Sequence, residues 1–292
     1  MPYTDGVLAV RKGPVVGSPL QQRPATLMRS VLVLSSLLFW WPMTHTVQAD
    51  PTPTPGMDPG GVAVAFIGGG ITYTQNDIAL QLARDGEGVP IGWDFIDGDF
   101  LPFAAEDDPS SDNAAIRLFM TADIASRIIS VRASTADALS IAKATAFATQ
   151  TPARIVAILS ELNAQTAQYV SQIAAKSPNV LFVTGPNGNS YGNSQSTPEN
   201  MLRVAGSATA EKAHTDIQLT DGKWRIADET APKQDAEEVA NLPDVISLAA
   251  ALTVCVSTTV DESAGLSSAS ALKQAILANV ASGNTQPNAG GS

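Results

Sequence analysis

The chain is 292 residues long, with 44% hydrophobic, 15% charged and 5% aromatic residues, enough for one sizeable domain or two small ones. Seventeen Lys and Arg against 28 Asp and Glu give a formal net charge of −11. That argues against nucleic acid or an anionic membrane surface as the main partner, because both demand a basic field. A single cysteine, Cys255, rules out an intrachain disulfide framework and a multi-thiolate zinc site, and the two histidines, His45 and His214, leave little material for imidazole chemistry.

Near the start, Met28-Arg29 precedes an apolar run from Val31 to Trp41, then Pro42 and the small-residue exit Val47-Gln48-Ala49. A basic start, a short apolar stretch and a V-x-A exit predict a secretory signal at 28–49, cleaved after Ala49, with residues 1–27 an over-called start. The run is too short to span a bilayer, so no membrane anchor is expected after processing, and the product is expected to be periplasmic or extracellular. Processing removes Arg11, Lys12, Arg23, Arg29 and Asp5. It leaves 13 basic and 27 acidic residues, a net charge of −14, and His214 as the one remaining histidine.

Residues 50–61, D-P-T-P-T-P-G-M-D-P-G-G, read as an extended Pro-rich linker. The domain proper is expected at 62–282, and 283–292 as a polar, Gly-rich tail. Along 62–282, strand-length apolar runs alternate with helical spacing. Strands are expected at 62–67, 128–133, 155–159, 180–184 and 201–205. Helical patterns cover 76–84, 165–176 and 267–280. Another helix is expected to open at Ser134 with Asp137 three residues on, a capping-box arrangement. His214 lies in a stretch that reads as a late hairpin with Lys223-Trp224-Arg225. Continuous apolar strands interleaved with helices predict an α/β three-layer sandwich around a mainly parallel sheet. In such a sheet, sites sit beyond the carboxyl ends of the strands.

The first of those ends carries Gly68-Gly69-Gly70. Its spacing fits neither a dinucleotide fingerprint nor a P-loop, which leaves a tight turn, or a ligand site over the glycines in an otherwise unrelated α/β binding protein. With its neighbours, the segment Val64–Ile71 resembles the first catalytic block of subtilisin-like serine peptidases, V-A-V-I-D-T-G-I. Gly68 stands where that family has its catalytic Asp, and Gln75-Asn76-Asp77-Ile78 stands for the following H-P-D-L. Gly92–Asp99 resembles W-D-F-x-x-G-D, and Ile128–Ala133 the next strand. Leu181–Gly188 resembles the L-F-V-x-A-A-G-N-x-G stretch and puts Asn187 at the oxyanion donor. Ala231-Pro232 echoes a later A-P-G. Ile246–Ala251 resembles T-S-M-A-A-P and puts Ser247 at the nucleophile, with Leu252–Val260 as the long buried helix behind it. The ordered blocks span roughly residues 62–282.

The departures decide what the resemblance implies. The block H-G-T-H-V-A-G should fall between Asp99 and Ile128, yet residues 100–127 contain no histidine; Ser111–Arg117 sits about where it belongs. A serine hydroxyl needs a base, and the base an orienter; both residue types are missing. The expectation is therefore a secreted pseudopeptidase acting as a peptide- or protein-binding module. The runner-up is a weakly active serine hydrolase using Ser247 with an unconventional base such as a carboxylate. No cofactor is expected, apart from calcium as a candidate. Asp94, Asp97 and Asp99 with Glu106, Asp107 and Asp108 form an acidic stretch, and Asp77 matches a family position that contributes to such a site. Asp77, Asp97 and Asp99 are thus the candidate oxygen ligands. Cys255 is expected to be a buried small apolar residue.

Overall fold

In the computed structural model the described residues are 50–122, 125–159, 162–185, 197–206, 215–220, 223–226, 251–252, 255–256 and 268–283. The strands are β1 (Val62–Gly68), β2 (Gly92–Asp94), β3 (Ser126–Arg132), β4 (Ile155–Ile158), β5 (Leu181–Thr184), β6 (Met201–Gly206), β7 (Ile217–Thr220) and β8 (Lys223–Ile226). They form one sheet in the order β2-β3-β1-β4-β5-β6-β7-β8. Every pairing is parallel except the terminal β7–β8 hairpin. The helices are α1 (Asn76–Ala79), α2 (Asn113–Met120), α3 (Ala138–Ala148), α4 (Ala164–Lys176) and α5 (Ala269–Ala281). The α/β class and mainly parallel sheet are as the alternating pattern predicted.

The central strands are apolar on both faces because both faces are covered. Val64, Phe66, Ile128, Ile155 and Leu181 pack with Ile116 and Phe119 of α2 and Leu272 and Ile276 of α5. Their neighbours Ala65, Ile67, Ile129, Val156 and Phe182 pack on the opposite side with Ile141 and Ala144 of α3 and Ala167 and Val170 of α4. The two-residue period of the strand divides them in this way. The pairs Ala251-Leu252 and Cys255-Val256 are helical and buried in the α2/α5 layer. Burial pushes the Cys255 thiol up to about 12, as befits a small core residue and not a reactive one. Among the described residues no helix is long and apolar enough to cross a membrane.

Two local expectations are corrected. The helix foreseen over 76–84 stops at Ala79, and Leu80 is exposed. The chain turns at once because Ala83 N–H and Ile128 N–H bond to Ile128 and Gln81 carbonyls, a bridge to β3 that a continuing helix would forbid. The helix after β3 opens at Ala138, not Ser134. Asp137 is its cap, accepting the Leu139 N–H, and Ser134 N–H instead donates to Ser140 Oγ.

The Pro-rich segment 50–61 is extended, and it is also tied to the domain. Tyr73 Oη donates to the Pro51 carbonyl (2.7 Å) and Arg84 Nη1 to that of Thr54 (3.0 Å). Gly56 N–H reaches Gly88 O (3.1 Å). Asp58 accepts from Gly60 N, Arg84 N and Arg127 Nη1. Proline cannot donate a backbone bond, so the domain supplies most of the donors.

Candidate functional site

Strand order reverses about β1: β2 and β3 lie on one side of it, β4 to β8 on the other. A crevice at the carboxyl end is expected at such a switch, and Gly68-Gly69-Gly70 occupies it. Each glycine there has its own cause. A Cβ on Gly69 would collide with the Ser110 carbonyl oxygen. Gly70 has φ +90°, and a Cβ would lie 2.9 Å from the Pro102 carbonyl oxygen. Gly68 is barred by a side chain: a Cβ on it would meet both carboxylate oxygens of Asp112, 2.6 Å from Oδ2.

Asp112 immediately precedes α2. An Asp in that position ordinarily caps its own helix, but its side chain makes no capping bond. It crosses instead to the turn, where Gly70 N–H donates to Oδ2 (3.1 Å) and the Gly69 N–H faces the carboxylate. Asp112 N–H returns a bond to the Gly70 carbonyl (2.8 Å). The next residue repeats the clasp: Thr72 N–H donates to Asn113 Oδ1 (2.9 Å), and Asn113 Nδ2 donates to Thr72 Oγ1 (2.8 Å). Phe119 packs edge-on against Phe66 of β1, ring centroids 5.5 Å apart, which anchors the helix on the strand that leads into the turn. Asp112 is 8% exposed. Burial pushes its carboxyl up to about 7, against the downward pull of the Gly69 and Gly70 amides.

A second group lies past β2 and β3. Asp94, fully buried, accepts Arg132 Nη1 on Oδ2 (2.9 Å) and the N–H groups of Ile96 and Asp97 on Oδ1. Asp97 takes the same guanidinium nitrogen (2.9 Å). Asp50 completes a trio whose carboxylate oxygens lie within 4.8 Å of one another. Burial raises the Asp50 carboxyl, reinforced by Asp97. Asp50, Asp94 and Asp97 are therefore the residues here that could hold a cation, and the Arg132 guanidinium already serves two of them.

Of the candidate ligands, Asp97 belongs to this trio. Asp99 is in the same loop, accepting the Leu101 N–H (2.8 Å). Asp77 pairs with Arg117 (3.4 Å), which also holds Glu106 (2.7 Å). Gly68 stands at the strand end as expected. Asn187, Ser247 and His214 lie outside the described residues, as does the signal at 28–49. Sequence reasoning missed Asp112 and Asp50. Three glycines after a strand were a sign that something fills their space, but Asp112 in S-D-N before a helix reads as a local cap.

No family model matches the chain, and no curated protein matches it in sequence. Solved structures of similar fold include a cold-adapted subtilisin-like serine proteinase, at 13% identity over 76% of this chain and 82% of that one, TM-score 0.46. They also include the patellamide maturation protease PatG, at 11% identity over 74% and 82%, TM-score 0.42. A third is MycP1 with its N-terminal propeptide removed, at 12% identity over 73% and 81%, TM-score 0.39. The chemistry of the site is read from its own residues.

Proposed function

We propose that the chain is an exported, subtilisin-like domain without peptidase chemistry, whose strand-end crevice serves as a peptide- or protein-binding module. The observation that carries this reading is the relation of Gly68 to Asp112. The position that the resemblance gives to the orienting carboxylate is a glycine. The carboxylate filling its space comes from the segment where the base histidine belongs, and it accepts the Gly70 N–H with the Gly69 N–H facing it. Residues 100–127 supply no imidazole, so a serine at 247 has neither base nor orienter of the usual kind. Binding of extended peptide by strand addition needs none of these groups, only exposed backbone and side-chain pockets.

One observation favours the runner-up, a slow hydrolase using Ser247. Burial tunes the Asp112 carboxyl to about 7, a strength suited to general-base work near neutral pH. A fluorophosphonate probe and a fluorogenic peptide library, applied to the purified full-length product and to Ser247→Ala in parallel, separate the two. The expected result is no labelling and no turnover above blank, with peptide binding by fluorescence polarisation equal in both proteins. Turnover lost in Ser247→Ala would overturn the pseudopeptidase reading. Export is tested by mass spectrometry of secreted material, whose first residue is expected to be Asp50.

A further inference from the structure

We propose that the Asp112 side chain is a proton-operated latch: neutral, it holds the Gly68–Gly70 turn closed against α2, and ionised, it lets that turn loosen. The inference concerns the protein's own pH response and stands whether or not the crevice binds peptide.

The geometry supplies both halves of a latch. Asp112 forgoes capping α2 and spans 42 residues to the turn at the end of β1. The turn, in turn, has no side chain that could replace it, because Gly68 is a glycine where the carboxylate sits. The charged groups around it are all engaged elsewhere. Arg132 of β3 lays its Cγ and Cδ beside Gly70 but aims its guanidinium at Asp94 and Asp97. Arg117, further along α2, holds Asp77 and Glu106. Asp108, in the loop before α2, is held by Ser110. Among the described residues no cation pairs with Asp112. An ionised carboxylate there keeps two amide donors but has no counter-charge, and water is the remaining source of solvation. Admitting water means parting the turn from the helix.

The sign follows from the direction of the shift. The folded-state carboxyl titrates above its ordinary value of 3.8, at about 7. Between those values the folded protein holds a proton that the unfolded chain has released, so stability falls as pH rises through this window. The full cost of the buried charge is reached above about 7.

Three measurements test the latch. In 13C-aspartate-labelled protein, the carboxyl resonance absent from Asp112→Asn should titrate near neutrality; a midpoint in the ordinary carboxylate range would overturn the proposal. In urea unfolding, the wild type should lose about a hundredfold in folding equilibrium constant between pH 5 and 8.5 relative to Asp112→Asn; parallel profiles would overturn it. Asp112→Ser, whose hydroxyl can still accept an amide, replaces the Asn variant should that one not fold. Hydrogen exchange separates a latch from a merely buried acid. Protection of the Gly69 and Gly70 amides should fall across the titration in the wild type and not in the variant, and unchanged protection would leave no latch.

Discussion

Asp112, buried, and Asp216, half-buried, are carboxylates beside an element they fix, and they are built in opposite ways. Asp112 meets two backbone amides and no cation. Asp216, just before β7, meets the Arg203 N–H (2.7 Å), Arg203 Nε (3.1 Å) and Lys273 Nζ (3.0 Å). Burial drives both carboxyls upward. At Asp216, Arg203 and Lys273 outweigh burial and hold it below the ordinary carboxylate range; at Asp112 the amides do not, and it rises to about 7. Amide dipoles alone do not replace the hydration of a charge, whereas a cation in contact does. One end of the sheet is thereby fastened by charge, and the other by a group that prefers to be neutral. Their pH responses oppose each other. Asp216 contributes stability above the ordinary carboxylate range and loses it as pH falls through its lowered folded value, while Asp112 costs stability as pH rises towards 7.

The largest expected effect breaks the Asp216 side. Lys273 of α5 is 8% exposed and bonds Asp216 and the Met201 carbonyl; Arg203 is equally buried. Asp216→Ala strands both cations and is expected to cost about 3–5 kcal/mol at neutral pH in urea unfolding. The cost should shrink towards acid, where the wild-type carboxylate is itself protonated. Lys273→Met in the same chain should recover part of the loss. A cost below about 1 kcal/mol, in the range of a solvent-screened pair, would erase the contrast with Asp112.

How far each region could be read from sequence follows from the same distinction between local and distant partners. Val62–Ile67, Ile155–Leu159 and Val180–Thr184 were legible as strands because burial on both faces leaves an unbroken apolar run. Gln165–Lys176 and Ser267–Val280 were legible by period, and their caps, Asn163 and Ser268, accept the Thr166 and Ala271 N–H groups close by in the chain. β2 has three residues and α2 eight, too short to show a period, and α2 opens in polar Ser111-Asp112-Asn113. Gly68 was legible as a glycine where the resembled block has an Asp, but not what fills the space beside it, since that side chain is 42 residues away. Asp216 was invisible for the same reason: its cations come from β6 and α5, and neither spacing marks them as a set.

A middle-sized effect sharpens the Asp112 side. Gly68→Ala forces a methyl group onto the Asp112 carboxylate, and overpacking of this kind costs about 1–3 kcal/mol. With Asp112→Ala the obstruction is gone, so the same substitution should become nearly neutral. The double-mutant cycle, measured by urea unfolding, should return a coupling of at least about 1 kcal/mol. Additive costs would mean that the glycine is required by its backbone and not by Asp112. Gly68→Asp should be worse than alanine, since it brings a second carboxylate into the same space.

The smallest effect comes from a case between the two extremes. Asp50, Asp94 and Asp97 share one guanidinium, that of Arg132. Asp94 and Asp97 touch it, and Asp50 is left with a raised carboxyl, first from burial and then from Asp97. It therefore resembles Asp112 in sign but not in size, because Asp50 is only half-buried and water screens the repulsion. Asp50→Asn should stabilise the protein at pH 7 by a few tenths of a kcal/mol. The gain should vanish as pH falls and the wild-type carboxyl takes up its proton. High salt should diminish only the part of it that comes from repulsion by Asp97, whereas at Asp112, where the penalty is loss of hydration alone, salt should change nothing. Thermal melts of Asp50→Asn and wild type at low and high salt check this. A destabilised Asp50→Asn would mean that Asp50 is held by attraction to Arg132, and would place it with Asp216.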